Sequence, residues 1–182
     1  MSVSFVVSTW RQRLARSLHL SRSKPESKYI QLATLNDAGQ VQNRTLVFRG
    51  FVDDSDHLLM VTDTRSDKFS ALQVHSQAEI CWYFVKTREQ YRLNGTIDIY
   101  FEPSDFRTSI WNRLSEAAKA QFYWYLEDCE KNGLILNDKI PDTFCVLLLK
   151  PQHIDYLLLA EQHERFNYQL IDSKWIETSI NP

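Results

Sequence analysis

The chain has 182 residues, 43% hydrophobic, 13% aromatic and 24% charged, enough for one domain of ordinary size with a sizeable core. Its 21 Lys and Arg against 23 Asp and Glu leave a net charge of −2, which excludes a general nucleic-acid binder but not a local basic pocket for a small anion. Four Gly and five Pro exclude a collagen-like or low-complexity chain. Cys81, Cys129 and Cys145 are an odd count without C-x-x-C spacing, so they read as free thiols in a reducing compartment, with neither a disulfide framework nor a zinc site. No stretch approaches the roughly 20 apolar residues that cross a bilayer. Arg11, Arg13 and Arg16 interrupt the apolar pattern of the first twenty residues, against a signal peptide. A cytoplasmic, soluble protein is expected, with no metal, membrane or nucleic acid among its partners.

Trp10, Leu14 and Leu18 recur at helical spacing and predict an amphipathic helix over about residues 5–20. Ser21 to Lys28 is a polar break, so residues 1–25 form an N-terminal helix and connection within a single domain spanning 1–182. Strands follow over Tyr29–Leu35 and Val41–Phe51, around an Asn36–Gln40 hairpin loop, and over His57–Thr62. Ser66 to Val74 reads as a helix with Ser66 as N-cap. Ala78–Val85 and Gln90–Phe101 are two more strands, the second with a bulge at Gly95. Ser104 to Tyr125 is helical and 126–142 irregular. Strands return at Phe144–Leu149, Ile154–Leu159 and Phe166–Ile171, and the chain closes on Trp175-Ile176 and a short tail. At least six strands in up-and-down order with flanking helices predict an α+β, mostly β fold, a closed antiparallel barrel. Trp82, Trp111 and Trp124 are expected in the core.

Sequence-local enzyme signatures are absent: no G-x-S-x-G, no P-loop, no G-x-G-x-x-G, and no pair of histidines at helical spacing for zinc. What remains is a polar set at strand ends. Thr45, Val47 and Arg49 share one strand face and Arg44, Leu46 and Phe48 the other. At the junction Thr62-Asp63-Thr64-Arg65-Ser66-Asp67-Lys68 a strand feeds a helix start, where hydroxyls, cations and free backbone N–H groups suit a phosphate. Spacing alone favours a capped helix with solvated charges over such a site.

Arg44-Thr45-Leu46-Val47-Phe48-Arg49, then Val61 to Lys68, then Arg88-Glu89-Gln90-Tyr91-Arg92-Leu93-Asn94-Gly95 resemble the ordered motifs of the pyridoxamine 5′-phosphate oxidase-like FMN-binding split barrels. Those motifs read approximately R-x-V-L-L-K, Y-T-x-x-x-S-R-K and E-R-Q-V-R-x-x-G. His163-Glu164-Arg165-Phe166 is similar to the family's H-D-R-F, and Trp175 to Pro182 to its closing segment. The T-D-x-R-S-x-K form and the final Asn-Pro resemble the subgroup found in cyanobacteria and plants.

The resemblance, over about residues 25–182, implies a six-stranded antiparallel split barrel that forms a homodimer, with two FMN molecules in clefts between subunits. It implies that Arg44 and the backbone of Thr45, Leu46 and Val47 border the flavin and its ribityl chain, and that Thr62, Ser66 and Lys68 hold the phosphate. Gln90 reaches the polar edge of the ring, and Arg165, with Gln121, comes from the second subunit. Asp67 stands where the family carries a second cation, and Arg65 is expected to supply the missing charge. Arg49, Arg113 and His163 are the candidate substrate contacts; no catalytic residue is singled out. The implied function is an FMN-dependent oxidoreductase acting on a small molecule such as a phosphorylated B6 vitamer. The alternative is a flavin-binding or flavin-reductase-type module without vitamin B6 oxidase activity. Ile110–Gln121 keeps only Arg113, Ser115 and Gln121 of the family's substrate-phosphate stretch, from which poor turnover of pyridoxamine 5′-phosphate is expected.

Overall fold

A computed structural model describes residues 7–123 and 139–182. Trp124 and Cys129, and most of the segment expected to be irregular, lie outside these residues.

Helix α1 (Thr9–Leu20) turns Trp10, Leu14 and Ser17 inward, a spacing of four and three residues that forms one helical stripe. A 3-10 turn, Pro25–Lys28, leads into β1 (Tyr29–Leu35), which pairs antiparallel with β2 (Val41–Val47). Asn36 closes that hairpin: its side-chain oxygen accepts the N–H groups of Ala38 (3.0 Å) and Gln40 (2.9 Å), while Gly39 adopts φ +74°. The strand expected over 41–51 is two strands, because at Phe48-Arg49 the chain leaves β1 and β3 (Gly50–Phe51) pairs with β4 (Leu58–Asp63) instead. Helix α2 (Asp67–Val74), β5 (Gln77–Phe84) and β6 (Glu89–Tyr100) follow. The single helix expected over 104–125 is α3 (Asp105–Arg113) and α4 (Glu116–Ala120), broken at Leu114-Ser115, each capped by a serine hydroxyl.

The two strands expected on either side of Pro151 are one fifteen-residue strand, β7 (Phe144–Leu158). Proline is tolerated because it sits at an irregularity: the β6–β7 register shifts between Asn94 and Gly95, and Pro151 faces Gly95. A Cβ on Gly95 would lie 2.1 Å from the backbone oxygen of Lys150, so the two backbones can approach this closely only with glycine. Strands β8 (Glu164–Ile171) and β9 (Lys174–Ile180) finish the chain.

All ladders are antiparallel, in the order β2-β1-β5-β6-β7-β4-β3, with β8 on β7 and β9 on β8. The described residues thus form a nine-stranded sheet and not the expected six-stranded barrel. No ladder joins β2 to β4 among the described residues, so the sheet is not closed and a gap separates those strands. The first half of β7 is buried on both faces, which explains its unbroken apolar run. Cys145, Leu147 and Leu149 enter a core with Leu32, Ile80, Trp82 and Leu93, whereas Phe144, Val146 and Leu148 meet Trp111, Leu114 and Phe122. Trp82 and Trp111 are core residues, as expected. Buried Arg107 ties α3 to β7 by donating to the Phe144 carbonyl (3.0 Å).

Candidate functional site

The free edge of β2 and the end of β4 face each other across the unpaired gap, and a cavity of about 720 Å³ fills it. Its walls are Thr45, Leu46 and Val47 from β2, Val61, Thr62 and Asp63 from β4, Arg65 and Ser66 from the turn, Arg49, and Gln121 and Phe122 after α4. An edge strand exposes peptide N–H and C=O groups that no ladder uses. The wall along β2 can therefore recognise the polar rim of a planar ligand through backbone alone, and the volume suits a cofactor-sized molecule.

At one end lies a compact donor set. Lys68 Nζ donates to Thr62 Oγ1 (3.1 Å), and Thr62 Oγ1 lies 3.3 Å from Ser66 Oγ. Ser66 occupies the N-cap position of α2 without a side-chain cap; its hydroxyl donates to the Asp63 carbonyl (2.6 Å). Burial, and then the neighbouring Arg44, pull the Lys68 ammonium below its ordinary range, although Asp63 and Asp67 oppose this. Two cations brought together at hydroxyl donors, beside the start of a helix, are the chemistry a phosphate dianion satisfies. Arg44 does not line the cavity; it donates to Thr34 Oγ1 (2.6 Å) on β1. Asp67 is exposed on the first turn of α2.

Arg65 differs from expectation. Its backbone N–H and Nε reach Asp63 Oδ1, both at 2.8 Å, and a terminal nitrogen reaches Asp63 Oδ2 at 2.6 Å. Burial would raise the Asp63 carboxyl, but these bonds outweigh it and hold the carboxyl below its ordinary value. Asp63 was not read as a site residue from sequence; its i, i+2 spacing to Arg65 is the one local signal available. Gln121, expected from a second subunit, lines this chain's own cavity, brought there by the break between α3 and α4.

A smaller cavity of about 300 Å³ adjoins this one through Arg49, which lines both. Lys28, Arg113 and Ser115 share it with Phe48, Leu59, Ile110 and Leu114. Arg49 Nε is buried without a hydrogen-bond partner among the described residues. Burial lowers the Arg49 guanidinium from its ordinary value with no carboxylate to oppose it. Arg49 and Arg113, both singled out from sequence, are thus brought together; Lys28 was missed, being one lysine in a polar connection.

The remaining predicted residues lie elsewhere. Gln90 and Arg165 flank Leu157 on the same row of the sheet, on β6 and β8. Arg165 donates to Asp155 from Nε (3.0 Å) and from a terminal nitrogen (2.7 Å), and Arg92 bonds the same carboxylate. His163 is exposed just before β8. None of the three lines either cavity. Among the described residues no cluster of three or more His, Cys, Asp or Glu is placed to hold a metal, and no helix is long and apolar enough to cross a membrane.

Residues 7–101, which carry the β2 edge and the donor set, match the family model described as pyridoxamine 5′-phosphate oxidase, FMN-binding domain. The chain belongs to this family. Its cofactor is FMN. An Arabidopsis thaliana protein named pyridoxine/pyridoxamine 5′-phosphate oxidase 2 is 31% identical, across 97% of this chain and 98% of its own. A crystal structure of a pyridoxamine 5′-phosphate oxidase-related, FMN binding protein from Nostoc punctiforme is 38% identical, covering 98% of this chain and all of that one with a TM-score of 0.89. PhzG of Burkholderia lata, solved with tetrahydrophenazine-1-carboxylic acid, shares the fold at a TM-score of 0.78 and 21% identity, over 96% and 91% of the two chains. Within this pyridoxamine 5′-phosphate oxidase-like family, the mostly β antiparallel sheet with a few helices is the common architecture.

Proposed function

We propose that this protein is an FMN-dependent oxidoreductase whose substrate is a small anionic molecule, with a phosphorylated B6 vitamer the compound to test first. The observation that carries this reading is the position of Arg49 in the walls of both cavities. A molecule anchored by its anionic group among Lys28, Arg49, Arg113 and Ser115 would extend towards the cavity that suits the flavin. The near-full-length similarity to the Arabidopsis oxidase supports the same substrate class.

On this reading Lys68, Thr62 and Ser66 hold the FMN phosphate, with Arg65 and Arg44 adding positive charge behind them. The edge of β2, Thr45 to Val47, borders the ring, and Gln121 closes the opposite wall from the same chain. The bound cofactor supplies two-electron redox chemistry. The chain's part is to orient the substrate, exclude water with apolar walls such as Leu46, Val61 and Phe122, and neutralise the anionic group.

Gln90, Arg165 and His163 stand away from both cavities, and the reading assigns them to the site of a second copy. The gap between β2 and β4 is then the split of a barrel, and the working unit is a homodimer of single-domain, cytoplasmic subunits. The expectation of weak phosphate binding rested on Arg113 as the only cation; Lys28 and Arg49 in the same cavity remove that ground.

The test is aerobic formation of pyridoxal 5′-phosphate from pyridoxamine 5′-phosphate by the FMN-loaded protein, followed by absorbance, with product binding measured by equilibrium dialysis. Conversion is expected. Tight binding of pyridoxal 5′-phosphate with no conversion would replace this reading with that of a flavin-binding module. No binding at all would remove the anionic substrate.

A further inference from the structure

We propose that Lys28 is a specificity determinant, the third cation of the small cavity, which selects a doubly charged phosphate monoester over a singly charged or neutral group. The inference rests on the reading above, in which this cavity receives the anionic end of the substrate. Its own grounds are charge and position.

Lys28, Arg49 and Arg113 surround one cavity of about 300 Å³ whose lining contains no carboxylate. None of the three has an ion pair among the described residues, whereas Arg65, Arg92, Lys119, Lys150 and Arg165 all do. In a chain of net charge −2, three unpaired cations around one opening repel one another without compensation from the fold. Arg49 adds a buried donor, its Nε, that nothing among the described residues satisfies. Buried donors are ordinarily paired, so this unpartnered nitrogen points to a ligand acceptor.

Lys28 is held at this opening by its backbone. The Phe48 N–H donates to the Lys28 carbonyl (2.8 Å), and the buried Trp82 indole donates to the Ser27 carbonyl (2.9 Å). These bonds seat the end of the Pro25–Lys28 turn beside the Phe48-Arg49 link between β2 and β3. Lys28 itself is exposed, so it acts through its charge at the rim while Arg49 makes the buried contact. A cation at fixed distance interacts twice as strongly with a dianion as with a monoanion. A phosphate dianion, with three acceptor oxygens and the larger charge, therefore gains more from this added cation than a carboxylate does.

The experiment uses the FMN-loaded protein with pyridoxal 5′-phosphate and pyridoxal as probes, dissociation constants being read by equilibrium dialysis. Lys28→Met should weaken pyridoxal 5′-phosphate about tenfold and leave pyridoxal unchanged. Lys28→Arg should restore the difference, and the salt dependence of phosphate binding should be shallower in Lys28→Met than in the parent. Arg113→Ala and Arg49→Met serve as companions. If they weaken the phosphate probe while Lys28→Met binds both probes like the parent, Lys28 is a solvated surface charge and the inference is overturned with the functional reading intact. If none of the three changes phosphate binding, the cavity is not the anion site and both fall.

Discussion

Around the larger cavity the cations are already engaged by the fold: Lys68 by the Thr62 hydroxyl, Arg65 by Asp63 and Arg44 by Thr34. Around the smaller one, Lys28, Arg49 and Arg113 have no ion pair among the described residues and a buried Arg49 nitrogen goes unsatisfied. The first arrangement suits a resident cofactor, since donors fixed in advance lose little freedom on binding. The second suits a ligand that comes and goes, because an anion relieves the mutual repulsion of these cations only while it is bound. Arg49 belongs to both, which makes it the hinge of the comparison.

The comparison can be broken most directly at Lys68. Lys68→Ala removes a charge-assisted phosphate contact, and FMN affinity should fall on the order of a hundredfold, about 2 to 3 kcal/mol. Fluorescence titration reads this, and an unchanged constant would mean that the donor set on β4 and α2 is not the phosphate seat. Arg49→Met comes next. It should weaken pyridoxal 5′-phosphate by about 2 kcal/mol, roughly thirtyfold, and FMN by less, without lowering the melting temperature of the ligand-free protein. Destabilisation instead would show that the fold satisfies this guanidinium after all.

A pH profile sharpens the contrast. Burial and Arg44 lower the Lys68 value, so the charged form that favours FMN persists below that value and is lost as pH rises through it. FMN affinity should therefore weaken before the ordinary lysine range of about 10 is reached, and Lys68→Arg should push the decline to higher pH. An alkaline limb identical in the two proteins would exclude Lys68 as its origin. The smallest effect is expected at Arg65. With its guanidinium on Asp63 and partly exposed, Arg65→Ala should weaken FMN only about threefold, roughly 0.6 kcal/mol. Because the folded Asp63 value is depressed, the pair contributes stability above the ordinary carboxylate value of about 4, and that contribution is lost as pH falls through the lower, folded value. Acid melts of Arg65→Ala should lack this limb.

The part of the site that was legible from sequence is the part built locally. Thr62, Ser66 and Lys68 lie within seven consecutive residues, where a strand end and a helix start can be read from pattern and cap chemistry. Lys28 was illegible because its partners come from the link between β2 and β3 and from the end of α3, and nothing in SRSKPESK marks one lysine above another. The Asp63–Arg65 pair was hidden for a different reason: Asp63 and Asp67 both lie two residues from Arg65, and only the turn geometry decides which carboxylate its guanidinium meets. In the fold, β7 misled because proline ordinarily ends a central strand; only the opposing Gly95 and the register shift beside it make Pro151 harmless. The strand count failed at Phe48-Arg49, where one continuous extended segment changes partner, an event without a mark in hydropathy.

The seating of α1 has a consequence for the order of assembly. Trp10 meets the Trp175 ring edge-on at 5.5 Å between centroids, Arg11 lies 3.7 Å from Asp56, and the Trp175 indole donates to the same Asp56 carboxylate at 2.7 Å. The first described helix is therefore clasped by the last described strand. During synthesis its apolar stripe waits, without its final partner, until β9 emerges. A chain halted after β8 would lose the Trp175 contacts with Trp10 and Asp56 and leave α1 held by its contacts with Phe51, Glu89 and Tyr91, so a truncation at β9 should loosen the opposite end of the chain.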